Sequence, residues 1–222
     1  MREAAFYYNA QLLKIIGYGI VVMVPVWMVF SNYSFTLLSV DWGGRESLVN
    51  LLLNIILFAI FIHPLYSLYK RVSIDEEMEF KEMLKSFIWS IGPILVIGIL
   101  VSALVYGGIF AFYIPGFLIA PFLFILPFMY QRDSTLRNWI KTSVEFYLDN
   151  FIQVWIQIIF WSCFTTLLWF GVLYITSFLE MNYVAFNVTR LVFSLVIFPF
   201  VVFSLSEKLL SMTEEVDEEW AN

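Results

Sequence analysis

The feature that most constrains this chain is a run of 45 residues, 87–131, that contains no Asp, Glu, Lys, Arg or His. As one continuous α-helix, rising 1.5 Å per residue, it would reach about 67 Å, whereas the hydrocarbon core of a bilayer is about 30 Å thick. The run therefore has to cross lipid twice, and the place to fold back is Tyr113-Ile114-Pro115-Gly116.

Composition extends that conclusion to the whole chain. Of its 222 residues 61% are hydrophobic and 14% charged, with a mean hydropathy of +0.85. Soluble domains carry about 25% charged residues. The expected fold is all-α: a polytopic integral membrane helical bundle of about six transmembrane helices, with cytoplasmic amphipathic helices. Abundant Phe (24) and Trp (8) suit lipid-facing and interfacial positions. The lone Cys163 excludes an intramolecular disulfide and a cysteine-based metal cluster. The net charge of −6 reflects mostly Asp75–Glu82 and Thr213–Glu219, and no basic surface suggests nucleic acid.

In chain order the expected spans are 11–30, 48–69, 87–112, 115–130, 151–178 and 188–210. They form a single transmembrane domain, 1–212, followed by an acidic cytoplasmic tail, 213–222, expected to fray. The first run reads as a span and not as a cleavable leader, because no small-residue cleavage site follows it. The fifth is long enough that it should tilt. One amphipathic helix should lead into the third span, with Ser73 and Glu76 as a capping box and Phe80, Met83, Leu84, Phe87 and Ile88 on its apolar face. A second, capped by Asp133 or Ser134, should present Leu136, Trp139, Ile140, Val144, Tyr147 and Phe151. With this topology ten of the twelve Lys and Arg fall on one side, and Arg45 and Arg190 on the other. That bias makes both termini and both amphipathic helices cytoplasmic.

Spans two, four and six each carry a proline near the cytoplasmic end, Pro64, Pro127 and Pro199, spaced 63 and 72 residues apart. Two readings stand. In one, the chain is a threefold pseudo-repeat of amphipathic helix, outward span, turn and kinked inward span, with Arg2–Gln11 as a degenerate leading helix whose face is Phe6, Ala10 and Leu13. In the other, the prolines fall independently in apolar spans, where Pro is commoner than in soluble helices.

The stretch Phe80–Asn150 has an amphipathic helix, a span, the turn Ile114-Pro115-Gly116, an apolar span ending near Pro127, and a helix carrying Ser143. In this it resembles the YciC-type bacterial inner-membrane proteins and the membrane domain attached to some glycerophosphodiester phosphodiesterases. The resemblance covers a third to a half of the chain and implies a six-span inner-membrane protein without assigned catalytic residues. The residues after Pro127, Phe-Met-Tyr-Gln-Arg-Asp, depart from those families in lacking an acidic-rich stretch.

Several residues are weighed for function. His63, the only histidine, is either a proton relay or a neutral imidazole bonding a carbonyl freed by the Pro64 kink. Asn50 with Asn54, and Gln153 with Gln157, lie four apart on one helix face; they line a polar path or bond between helices. Arg190 snorkels to the interface or sits buried as a gating charge. Nucleophile elbow, P-loop, HExxH and dinucleotide motifs are all missing, so enzyme is the least favoured class and no cofactor or metal is expected. The expected partners are the lipid bilayer and a protein partner or further copies of the chain. The first functional reading is a non-catalytic membrane subunit, a scaffold, assembly or accessory component. The alternative is a transporter or channel-like protein for a lipid, hydrophobic peptide or other amphipathic substrate.

Overall fold

The computed structural model describes residues 2–30, 46–177 and 183–221, with the side chains at 46–47, 112, 175–177, 183–187, 190 and 213–221 set aside. It is helical almost throughout, with no strand among the described residues. Nine helices are used below: α1 (Arg2–Ala10), α2 (Leu12–Phe30), α3 (Glu46–Ser73), α4 (Phe80–Phe112), α5 (Ile114–Ile119), α6 (Phe122–Phe128), α7 (Leu136–Asp149), α8 (Phe151–Ser177) and α9 (Tyr183–Ala221). Five of them, α2, α3, α4, α8 and α9, are long and apolar enough to cross a membrane. This is an all-α bundle of membrane-protein character.

The fourth expected span, 115–130, is shorter and broken, but it still returns the chain to the end of the bundle where α4 begins, with Arg132 lying on Trp89. The return from the turn, Ile114–Phe128, is 15 residues broken into α5 and α6 at Ala120-Pro121. At 1.5 Å per residue it covers about 22 Å, short of the hydrocarbon thickness. Proline 121 lacks the N–H that would continue the ladder of α5. The turn itself lies where the sequence places it. Tyr113 adopts φ 58°, ψ −51°, and Gly116 seats directly against α4. A Cβ on Gly116 would collide with the Val105 carbonyl and lie 2.5 Å from the Ile109 nitrogen, and one on Gly108 would lie 2.6 Å from the Gly116 nitrogen. Two glycines in register let the two backbones touch.

The helix starts differ from expectation because the winning cap is the one with free backbone donors beside it. Ser73 ends α3, its hydroxyl donating to the Lys70 carbonyl, and α4 begins later, where the Glu79 N–H donates to Glu82 Oε2 at 3.2 Å. The expected short amphipathic helix is thus continuous with the third span. Thr135, not Asp133 or Ser134, caps α7, accepting from the Asn138 N–H. On α7 the buried face is Trp139, Ser143, Phe146 and Tyr147, while Leu136 and Val144 are exposed. On α1 it is Ala4 and Tyr8, with Phe6, Ala10 and Leu13 exposed, the reverse of the expected face. The backbone of the acidic tail continues α9 as helix through Ala221 and does not fray from 213. In α2 a π-turn at Gly19–Met23 precedes Pro25, and Gly19 is pressed against Leu195, which a Cβ would meet at 2.6 Å.

The packing order bears on the two proline readings. Each leading helix lies on the proline-bearing helix of the unit before it, and the first closes onto the third. The start of α4 joins the end of α3 through Arg71 and Glu82, 3.0 Å apart, with Phe87 stacked on Phe61. Trp139 of α7 donates its indole N–H to the Leu126 carbonyl of α6 at 3.0 Å. Tyr8 of α1 donates to the Val196 carbonyl of α9 at 2.9 Å and packs on Phe200 and Phe203. Such a closed cyclic order agrees with the threefold reading, in which α1 joining α9 is the contact that residue order alone does not supply. At the centre is α3, which touches α1, α4, α6 and α9.

Candidate functional site

The site is built from the last turn of α6. A helix end leaves carbonyls without intrahelical partners, and in an apolar bundle these must be satisfied locally. Pro127 makes the strain worse, since it also removes a donor from the final turn. Side chains from two other helices meet the demand. Trp139 takes the Leu126 carbonyl, and His63 of α3 takes the Pro127 carbonyl, Nδ1 to oxygen 3.0 Å. A carbonyl oxygen only accepts, so Nδ1 carries the hydrogen and Nε2 of a neutral ring is bare. Tyr130 packs edge-on against both His63 (4.8 Å) and Trp139 (5.2 Å). Sequence reasoning proposed a carbonyl freed by the Pro64 kink; the one found belongs to a different helix, which only the tertiary fold could bring close.

From His63 a polar line runs toward the lysine-rich end of the bundle. Ser67 Oγ lies 3.4 Å from His63 Nε2, and Ser86 Oγ on α4 is 3.5 Å from Ser67 Oγ. These groups form one end of an open cavity of about 820 Å³ lined by α3, α4, the 128–132 segment and Leu210 of α9. Its rim carries Lys70, Arg71, Lys85 and Arg132, against Glu76 and Glu82. Arg71 is neutralised by Glu82. Among the described residues Lys70, Lys85 and Arg132 have no carboxylate within ion-pair distance. Two of those cations lie on Trp89 instead: the Arg132 guanidinium carbon is 3.2 Å from the ring centroid and Lys85 Nζ 4.6 Å. Tyr130 donates its hydroxyl to the Trp89 carbonyl. Burial raises the Tyr130 phenol above its ordinary pKa of 10.0, opposed by Arg132, so it remains a donor at neutral pH. Unpaired cations set on an aromatic floor make an anion-binding surface, with a line of hydroxyls behind it.

A second cavity, about 250 Å³ and almost wholly apolar, lies deeper among α3, α6, α8 and α9. Residues flanking all three prolines line it: Ile62, Phe124, and Phe198 with Val201. The Pro64, Pro127 and Pro199 segments therefore converge, although the prolines are far apart in sequence.

The other sequence candidates go elsewhere. Asn54 donates to the Asn50 carbonyl (2.7 Å) and to its side-chain oxygen (3.2 Å), a bond within α3 and not between helices. Gln153 is exposed and Gln157 half-buried on α8, and neither lines the two cavities. The side chain of Arg190 lies outside the described residues. The cationic rim was missed because its members sit in three separate charge clusters; their shared side of the membrane was the available signal. Among the described residues no group of three His, Cys, Asp or Glu is arranged to hold a metal. No family model matches the chain, and neither does any curated protein or solved structure.

Proposed function

We infer that this chain is a non-catalytic integral membrane protein that holds an anionic amphiphile, with the headgroup in the cationic cavity and the apolar part in the bilayer. This selects the amphipathic-substrate reading over the purely structural one. The observation that carries it is the set of three cations without carboxylate partners, Lys70, Lys85 and Arg132, around one cavity. Left alone, such charges repel one another, and a bound anion relieves that repulsion. Basic pockets between transmembrane helices on the cytoplasmic side are suited to anionic headgroups, and the ten-to-two bias of Lys and Arg puts this end of the bundle there. Trp89 and Tyr130 have the amphipathic character of interfacial anchors. The apolar cavity behind the kinks offers room for part of a tail.

The accessory-subunit reading keeps one specific support, the nearly bare surface of α8, of which 6% of the apolar stretch is buried. The test is lipid binding by the purified protein in mild detergent. Phosphatidylglycerol and phosphatidic acid are expected to bind and phosphatidylcholine not, and Lys70→Gln, Lys85→Gln and Arg132→Gln together should lower anionic-lipid affinity about a hundredfold, at about 1 kcal/mol per cation. Equal affinity for phosphatidylcholine would reject the site.

A further inference from the structure

The polar end of the cavity has a directionality that the rim does not, and it bears on which headgroup fits. His63 Nδ1–H is committed to the Pro127 carbonyl at 3.0 Å, leaving Nε2 of the neutral ring as an acceptor. Ser67, 3.4 Å away, has only its hydroxyl hydrogen to offer that nitrogen. Ser86 in turn points its hydroxyl hydrogen at Ser67 Oγ, 3.5 Å away. Donors thus run one way, Ser86 to Ser67 to His63. What this end of the cavity presents to an incoming group is lone pairs, on Ser86 and Ser67. The separations are longer than the usual O–H···O contact, so the line is loose enough for a hydroxyl to enter it.

Resting on the anionic-amphiphile reading, we propose that the cavity recognises a phosphodiester headgroup that itself carries hydroxyl donors. The phosphodiester meets Lys70, Lys85 and Arg132 at the rim. A hydroxyl on the headgroup, about one helical turn deeper along α3, donates to the lone pairs of Ser67 and Ser86. A headgroup of equal charge without a hydroxyl gains the rim contacts and leaves the acceptors unfilled. Ser67 and Ser86 are half-buried, and an acceptor that loses its water under a bound headgroup and gains no donor opposes binding; that difference makes the selectivity.

The comparison that isolates this is phosphatidylglycerol against phosphatidylmethanol, which have the same charge and phosphodiester but differ in the hydroxyls. For the purified full chain in detergent, phosphatidylglycerol should bind about fivefold tighter, the scale of one hydrogen bond. In Ser67→Ala plus Ser86→Ala the ratio should fall to about one, because phosphatidylmethanol no longer strands the two acceptors and its affinity rises toward that of phosphatidylglycerol, and retained binding of both lipids reports that the variant is folded. Ser86→Ala alone should give an intermediate ratio. Equal affinity of the wild-type protein for the two lipids overturns the proposal and leaves the anion site standing. A ratio that survives the double substitution also overturns it, whereas binding of neither lipid removes the underlying reading instead. Soluble glycerol phosphate serves as a competitor. Full displacement places the polyol phosphate in solution and no displacement places it in the bilayer, and either result supports the recognition chemistry.

Discussion

Helices α3 and α8 are close to equal in length and both strongly apolar, with mean hydropathies of 2.3 and 1.8 over their apolar stretches. Yet half of that stretch of α3 is buried within the bundle, against 6% of α8's. Lipid tails are as apolar as a leucine-lined interior, so no hydrophobic difference drives one helix to the centre. Polar anchors and close packing decide. Helix α3 has His63 on the Pro127 carbonyl, Arg71 on Glu82, Phe61 stacked on Phe87 and Tyr69 edge-on to Phe203. Most of α8 faces outward, and its firmest attachments are Trp155, which donates to the Tyr147 hydroxyl and stacks on Phe117, and Trp161 against Phe200.

That contrast can be broken at several strengths. The covered side should fail most severely at Gly116→Ala, because the new methyl group meets backbone atoms of Val105 and Ile109 that cannot swing away. A loss of about 4 kcal/mol or more is expected, read as loss of monodisperse protein in detergent. Next, Phe61→Ala, at a side chain 1% exposed, should cost about 3–5 kcal/mol, whereas Phe170→Ala on α8, 62% exposed, should change unfolding in detergent by less than about 0.5 kcal/mol. Comparable losses at the two sites would erase the distinction between covered and bare helices.

A smaller effect belongs to the corner where α8 joins the bundle. Tyr147 of α7 donates to the Leu118 carbonyl and accepts from Trp155, and Tyr147→Phe should cost about 1 kcal/mol. Burial raises the Tyr147 phenol above 10.0, partly offset by the Trp155 hydrogen bond. A folded-state pKa above the unfolded one means this contribution is complete below pH 10 and is lost as pH climbs through the raised value. Tyrosinate absorbance and near-ultraviolet dichroism should therefore show an alkaline transition that Tyr147→Phe shifts or removes. The least effect is expected at Gln153→Leu, on an exposed position of α8: thermal stability should stay within about 0.5 kcal/mol of the parent, and a larger change would mean that Gln153 has a partner.

Much of the architecture was legible because long apolar runs and turns are local facts. The hairpin at Tyr113, the five long helices and the helix over 136–149 all follow from residue order. The shortness of the return segment was hidden, since Ile114–Phe128 is as apolar as a true span and the uncharged run continues past its end at Phe128 to Gln131. The face of α1 was misread for a related reason, whereas on α7 Trp139 and Tyr147 are buried as expected and only Leu136 and Val144 turn outward. Tyr8 and Trp139 are buried to bring a hydroxyl and an indole N–H to carbonyls at proline-bearing segments, and a periodic count of apolar residues does not see a carbonyl.

By itself the sequence determined the solvent: an uncharged run of 45 residues and a composition this apolar leave lipid as the medium. It also carries the expectation, through the order of its apolar runs, that most lysines and arginines share one side. The tertiary structure alone decided which helix is central, which carbonyl His63 occupies, and that Lys70, Lys85 and Arg132 share a cavity. The reason is physical. Hydrophobic transfer is non-directional and can be read residue by residue, whereas hydrogen-bond satisfaction and charge clustering depend on groups distant in sequence that meet only when the helices pack.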